Sequence, residues 1–393
     1  MPNAERPPRI LICAAEQSGD EHAAELIRAA RASIPDVSFV GLAGPRMQAE
    51  GCECIHDMTI RAAMAAAAWK RVPEAIQVLR RLKAFLAVER IDAAVLVDSP
   101  TLNLPIAKIC RRRKVPVLYY IAPQTWAWAP WRNRRIRARV DRIACIWPFE
   151  ESYFRGYGIR AAYVGHPSFD RLLAVSNDPE KTAAIRKRGE PVVTILPGSR
   201  RHVIDEVLPG QLEIARALSK RFKKIHFVVV SASESVQPEI ANVIRRECPH
   251  LSIMDTCGAD ERAAAIRAAD LVLAASGTVT LEVAYHGTPM IVMYNASRLL
   301  YQFVGRWIIS TPYFSIPNIL AGRRIVPEFM PYYRSVTPII AQASELLATP
   351  ASLKRIRDDL KNVMEPIIKP GAAKNAAREL AGVLVDRCRT GSG

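Results

Sequence analysis

Residues 192–200 read Val-Val-Thr-Ile-Leu-Pro-Gly-Ser-Arg, an uncharged strand-forming run that stops at a proline and a glycine. A short apolar run bounded by turn residues fits a strand covered on both faces better than one with a wet side. The same grammar recurs downstream at 225–230, 251–254, 271–274 and 290–294, and upstream at 10–14, 37–42, 93–97, 115–121 and 142–146. Helical stretches separate these runs; in 73–89, Ala75, Leu79, Leu82 and Leu86 fall on one stripe. Apolar strands alternating with helices predict an α/β chain with parallel sheets covered on both faces. With 393 residues, 50% of them hydrophobic, there is enough chain for two packed domains. We expect doubly wound domains over 1–175 and 176–337, with the polar stretch 176–190 as their joint. Helices over 338–393 are expected to pack back across the cleft. Ligands of such sheets bind beyond the carboxyl ends of the strands.

The formal charge is +17, with a pI near 9.8. Such a surface suits nucleic acid, anionic lipid or a phosphorylated substrate, and composition does not choose among them. The eight cysteines show one close pair, Cys52 and Cys54, without a second pair at zinc-ligand spacing, so a reduced cytosolic protein is expected. No apolar leader precedes the first strand, and the most lipid-like run, 62–69, is too short to span a bilayer.

The candidate chemistry sits where strands end. After 192–196, Gly198 lets backbone approach a ligand, and Ser199 and Arg200 can bind phosphate oxygens. After 271–274, Ser276, Gly277 and Thr278 open a helix whose N-terminal amides favour a diphosphate, with Glu282 one turn on, in reach of ribose hydroxyls. In the first half, Asp98 ends a buried strand and can serve as a general base, or merely cap the next turn. A polar turn, Glu16-Gln17-Ser18-Gly19-Asp20, precedes a helix for which Ser18 and Glu21 predict a capping box. The loop Gln124-Thr125-Trp126-Ala127-Trp128-Ala129-Pro130-Trp131 holds three of six tryptophans and runs into Arg132, Arg134, Arg135, Arg137, Arg139 and Arg142. Tryptophan faces suit sugars or a membrane interface, and aromatic next to basic residues also suits single-stranded nucleic acid.

Taken together, Glu16-x-Ser18-Gly19-Asp20, Gly44-Pro45-Arg46-Met47, Asp98-Ser99-Pro100, Pro123-Gln124-x-Trp126-Ala127-Trp128, Gly165-His166-Pro167, Pro197-Gly198-Ser199-Arg200 and Ala275-Ser276-Gly277-Thr278 resemble the lipid-A-disaccharide synthase family. Thr280-Leu281-Glu282, Pro317-Asn318 and Ala321-Gly322-Arg323 extend the resemblance in the same order over nearly the whole chain. The resemblance implies a GT-B architecture, two Rossmann-like domains facing a cleft, with acceptor and membrane on the first and UDP-sugar on the second. It implies an inverting transfer of diacylglucosamine from UDP to the 6-hydroxyl of diacylglucosamine 1-phosphate, without metal or other cofactor. Asp98 is then the base. Gly198, Ser199, Arg200, Ser276, Gly277, Thr278 and Glu282 line the UDP-sugar site. Glu16, Ser18, Gly19, Asp20, Gln124, Trp126, Trp128, His166 and Asn318 shape the acceptor side.

The implied partners are the two glycolipids, an anionic membrane surface met at the cytoplasmic face of the inner membrane, and a second copy of the chain, but no nucleic acid. Arg61, Lys70, Arg71 and the clusters 111–114 and 132–142 are candidates for the lipid surface. The chain departs from the family pattern at Ala15, at 64–69, at Thr101 and Leu102, at Val203, at 295–298 and near Pro331. Those changes fall more on the acceptor side than on the nucleotide turns. The alternatives are another glycolipid acceptor, a sugar-nucleotide epimerase, a nucleic-acid-binding protein and a catalytically silent membrane-surface protein.

Overall fold

Two runs of buried apolar residues, β1 (Arg9–Ala14) and β4 (Ala93–Val97), pair in parallel from Ile10 opposite Ala93 to Ala14 opposite Val97. In the computed structural model, which describes residues 6–57, 72–295 and 311–390, they form the centre of a seven-stranded sheet. Its order is β3-β2-β1-β4-β5-β6-β7, completed by β2 (Ser38–Leu42), β3 (Glu53–His56), β5 (Val117–Tyr120), β6 (Arg142–Cys145) and β7 (Ala161–Tyr163). Every pairing is parallel, so each connection crosses over, as covered sheets of this class require. The connecting helices are α1 (Gln17–Arg31), α2 (Pro45–Ala49), α3 (Val72–Val88), α4 (Pro100–Arg112), α5 (Asn133–Arg137), α6 (Pro148–Gly156) and α7 (Pro167–Ala174).

The second sheet repeats the plan after α8 (Pro179–Arg186). Its strands are β8 (Val192–Leu196), β9 (His226–Ser231), β10 (Ile253–Cys257), β11 (Leu271–Ala275), β12 (Met290–Met293) and β13 (Glu328–Phe329). Their order is β10-β9-β8-β11-β12-β13, again all parallel. Its helices are α9 (Arg201–Arg221), α10 (Gln237–Glu247), α11 (Ala259–Ala268), α12 (Val279–Tyr285), α13 (Ile316–Ala321), α14 (Thr337–Ala348) and α15 (Pro350–Met364).

The chain divides into two compact units, residues 1–170 with 368–393, and residues 171–367. The polar stretch read as a joint at 176–190 therefore belongs to the second unit. There Asp178 caps α8 by accepting from the Lys181 N–H at 3.0 Å. The helical tail expected over 338–393 is shared out, α14 and α15 to the second unit and α16 (Ala372–Thr390) to the first. Within that unit α16 packs on α1 and along β4, β5 and β6. Glu379 and Asp386 accept from Arg142 at 2.9 and 3.1 Å, and Arg387 donates to the Ile91 carbonyl at 2.8 Å. Strands β3, β7 and β13 are edge strands of two to four residues and mixed burial, too short to announce themselves by pattern. The readings placed on Arg61, on 62–69, on Lys70 and Arg71, and on Ser297 and Arg298 fall outside the described residues.

Gly41 is the residue on which the β1–β2 approach turns. A Cβ there would collide with the Ile12 carbonyl, at the point where the β2–β3 register shifts. Gly41→Ala is expected to lower the urea midpoint by a free energy of ~3 kcal/mol or more. Gly156→Ala, where a Cβ meets nothing within 4 Å, is expected to leave it within ~0.5 kcal/mol.

Candidate functional site

In each sheet the strand order reverses at one pair, β1 with β4 and β8 with β11. The turns leaving those strands stand side by side at the carboxyl edge, where doubly wound sheets bind ligands. Glu16–Asp20, Asp98–Pro100, Pro197–Arg200 and Ser276–Thr278 lie on these four turns, whereas the tryptophan loop follows β5, Gly44–Met47 follows β2 and Gly165–Pro167 follows β7.

In the first unit β4 runs into Asp98 and Ser99, both in the left-handed region with φ of 49° and 44°. For two non-glycine residues this costs roughly 1–2 kcal/mol each. The cost is offset locally, because the Asp98 carbonyl accepts from the Tyr119 hydroxyl and the Asn103 amide, both at 2.7 Å. The Asn103 amide also donates to the Val97 carbonyl at 2.9 Å, and the Asp98 N–H donates to Tyr120 at 3.1 Å. Four bonds of about 1 kcal/mol each match the strain. The half-buried carboxyl is thereby aimed by the backbone. Burial pushes its pKa up, and the nearby Glu16 carboxylate pushes it further, against the Ser99 N–H and His22.

Glu16 and Ser18 are exposed at the start of α1, and Glu16 occupies the N-cap position. The capping box expected from Ser18 and Glu21 is not formed, because the helix already begins at Gln17. At Gly19 an added Cβ would lie 3.4 Å from the Ala14 Cβ, so α1 starts hard against the strand ends. Asp20 is buried and accepts from the backbone N–H groups of Arg46 and Met47 at 2.9 and 3.1 Å. Its carboxylate is thus the cap of α2, joining the two motifs, rather than a group presented to an acceptor.

The tryptophan loop is anchored from below. Thr125 donates to Asn133 at 2.7 Å and Asn133 to Tyr153 at 2.8 Å, both inside the fold. Trp126 donates its indole N–H to Glu150 at 2.9 Å and meets Phe149 edge-on at 4.9 Å. Gln124 is exposed, and Trp128 is half-buried beneath the Arg132 guanidinium, 4.2 Å away. His166 is buried: its Nδ1 accepts from the Ser168 N–H at 3.1 Å, and its ring lies 4.6 Å from that of Trp147.

In the second unit Gly198 has φ of 109°, and a Cβ there would meet Val203 at 2.8 Å and Ala275 at 3.6 Å. Only glycine lets the 197–200 turn pass so close to its neighbour. Ser199 and Arg200 are exposed at the N-terminus of the 21-residue α9. Gly277, with φ of 149°, faces open space, and the Ser276 N–H is held by Met293 at 3.2 Å. Thr278 is the N-cap residue of α12. Glu282 is nearly buried, with both carboxylate oxygens on Arg262 Nε, at 3.0 and 2.8 Å. A carboxylate so held keeps lone pairs for hydroxyl donors.

Asn318 is placed differently from expectation. It is fully buried, its oxygen accepts from Ile325 and Val326 N–H at 2.7 and 3.0 Å, and its amide donates back to Val326 at 3.0 Å. With Glu328 accepting from Ser315 N–H and hydroxyl at 2.9 and 2.7 Å, it ties down residues 314–329. The residues that sequence reasoning missed are the supports: Tyr119 and Asn103 behind Asp98, Glu150 behind Trp126, and Arg262 behind Glu282. None lies in a motif. Among the described residues no three or more His, Cys, Asp or Glu side chains are grouped to hold a metal ion.

The sequence model of the lipid-A-disaccharide synthetase family matches residues 10–380 of this chain. The chain is 36% identical over 376 residues to a lipid-A-disaccharide synthase of Geobacter sulfurreducens, covering 94% of this chain and 95% of that one. In fold it is similar to a UDP-GlcNAc 2-epimerase of Neisseria meningitidis, with TM-score 0.58 at 13% identity over 96% of this chain and all of that one. It is equally similar, with TM-score 0.58 at 11% identity, to a UDP-glucosyltransferase of Polygonum tinctorium over 97% of this chain and 99% of that one. Both sheets are therefore those of the GT-B class of UDP-sugar enzymes.

The Glu150 support has a pH signature. Burial pushes its pKa from 4.5 up to about 7, against the Trp126, Trp147 and Ile146 N–H donors that pull it down. Between these values the unfolded chain loses the proton that the folded chain keeps. Stability is thus expected to fall by about 3 kcal/mol as pH rises through that window. Urea midpoints of the wild type and Glu150→Gln between pH 4 and pH 8 check this: the decline should be shallower in the variant by that amount.

Proposed function

This chain belongs to the lipid-A-disaccharide synthase family and is a glycosyltransferase with that family's activity; we propose that Asp98 is its base and that the 198–200 and 276–278 turns are its UDP site. The donor is UDP-diacylglucosamine and the acceptor diacylglucosamine 1-phosphate. The Asp98 carboxylate takes the proton of the acceptor 6-hydroxyl as that oxygen attacks C1 of the donor sugar. The C1–O bond to UDP breaks, its electron pair leaves with the diphosphate, and inversion yields the β-1,6 link. Arg200 and the first free N–H groups of α9 neutralise the leaving diphosphate, the guanidinium by paired N–H donors and the helix by its positive end. Glu282, steadied by Arg262, accepts from the ribose hydroxyls.

The observation that carries this reading is the clamp on Asp98. A half-buried carboxyl with a raised pKa is a stronger base than a solvated one, and its aim is set by the bonds to its own carbonyl together with the Ser99 N–H. Cys13 and Cys110 are buried with raised pKa values, which keeps them out of the chemistry.

Both lipid substrates reside in a membrane, and no helix among the described residues is long and apolar enough to cross one. The reading therefore includes peripheral contact with an anionic cytoplasmic leaflet. The basic clusters differ in fitness for it. Arg111 pairs with Asp141 at 3.3 Å, and Arg142 with Glu379 and Asp386, so those two charges are answered, while Arg112, Arg113 and Lys114 are exposed without an acidic partner among the described residues. Trp131, 57% exposed on the opposite edge, offers an interfacial aromatic.

Turnover of the two lipids in detergent micelles, with UDP and disaccharide followed by mass spectrometry, tests the assignment. Asp98→Asn is expected to lower kcat by at least ~100-fold with UDP affinity near wild type. Comparable turnover removes Asp98 from the role. In the wild type the acid limb of kcat/KM should lie above the ordinary carboxylate range, because activity is lost as Asp98 takes up its proton.

A further inference from the structure

Strand β5 lies beside β4 with Tyr120 opposite Val97, so the loop that follows leaves the sheet at the same edge as Asp98. Ala129, at φ of 58°, turns that loop into the tight turn Pro130–Arg132, and the Arg132 guanidinium comes to rest 4.2 Å over the Trp128 ring. Stacking fixes the plane of the guanidinium and leaves its N–H edge to bind something else. Tyr119 connects the two places: its hydroxyl donates to the Asp98 carbonyl, and it feels both the Asp98 carboxylate and the Arg132 cation. Arg132 makes no ion pair with Asp98, which leaves the base unquenched.

Arg132 is not alone. Arg135 repels both Arg132 and Arg139, and all three lack an acidic partner among the described residues. Arg111, Arg142, Arg155 and Arg160 each hold a carboxylate within 3.3 Å, whereas Arg134 and Arg137 share the lack of one but stand exposed to solvent. Arg132 and Arg139 are half-buried, and Arg139 is fixed by donating to the Leu104 carbonyl at 3.1 Å. Three like charges, two of them partly stripped of water, are unfavourable until an anion joins them.

We propose that Arg132, backed by Arg135 and Arg139, is the subsite for the phosphate monoester of the acceptor. The inference rests on the acceptor being bound at the Asp98 edge, as set out above. It goes further by saying what distinguishes a phosphorylated sugar from a plain one. The phosphate on C1 and the 6-hydroxyl arm on C5 both flank the ring oxygen, so the two groups are close without touching, and a cation near Asp98 but not against it is what such an acceptor requires. A planar guanidinium on an indole gives two parallel donors to phosphate oxygens, which a lysine does not.

The same chemistry is offered by the phosphate of a membrane lipid headgroup, and the test separates the two. In neutral-detergent micelles, diacylglucosamine 1-phosphate and diacylglucosamine without the phosphate are compared as acceptors for the wild type, Arg132→Gln and Arg132→Lys. The preference for the phosphorylated lipid is expected to fall by about tenfold or more in Arg132→Gln, through acceptor KM, with donor KM moving less than about twofold and Arg132→Lys intermediate. Equal loss on both acceptors, or an undiminished preference, overturns the proposal. Titration of glucosamine 1-phosphate into Asp98→Asn protein reads the subsite without turnover. Binding should persist there and weaken about tenfold when Arg132→Gln is added, whatever the fate of Asp98 as base. Unweakened binding counts against the subsite. Co-sedimentation with phosphatidylglycerol vesicles should be alike for wild type and Arg132→Gln. A variant that loses the vesicles yet keeps the acceptor preference makes Arg132 a headgroup contact and ends the proposal.

Discussion

Parallel pairing is the constraint from which the rest of this molecule follows. A central strand between parallel neighbours must be covered on both faces, so its residues are mostly apolar and its backbone polar atoms are spent on the ladder. Chemistry is displaced to the turns. Where the order reverses, at β1 beside β4 and at β8 beside β11, two such turns lie together at one edge. The residues with unusual backbone at these turns are Asp98, Ser99, Gly198 and Gly277, and the roles proposed for Asp98, Gly198 and Gly277 fall on that set.

The two units use that edge in different ways. In the first, a side chain has to be aimed, and the device is strain: a left-handed aspartate and serine held by Tyr119 and Asn103. In the second, the device is the missing Cβ at Gly198 and Gly277, which leaves the backbone bare for the ligand proposed there. Val203 shows how closely the second turn is fitted, since it fills the space a side chain at Gly198 would need.

The fold was legible because its signal is redundant: ten apolar runs, each bounded by turn residues, allow few other arrangements. What escaped were strands of two to four residues at sheet edges, β3, β7 and β13, where half-exposed side chains blur any pattern. The second-unit boundary escaped because Asp178 and Pro179 start a helix inside a stretch that reads as polar linker. At the proposed site, the positions of the strand-end residues were legible and their supports were not. Asp98 is announced by its place after an apolar strand, but nothing in Val-Leu-Tyr-Tyr says that Tyr119 will reach its carbonyl. Asp20 and Asn318 show a different limit. They sit in motifs, and their polar groups are taken up by backbone, which pattern alone does not distinguish from a role toward a ligand.

The first unit is interrupted by the second, since its last helix, α16, is separated from its other 170 residues by the whole of 171–367. The ribosome therefore delivers the seven-stranded sheet long before the element that covers β4, β5 and β6. At synthesis rates of roughly 5–20 residues per second, that sheet waits on the order of ten seconds or more with an apolar flank uncovered. During the wait Arg142 lacks both of its carboxylates, Glu379 and Asp386. The nascent chain thus carries a built-in window of vulnerability to aggregation, closed only when α16 has emerged and folded back on the sheet. A premature stop anywhere in the second unit would leave that window open permanently.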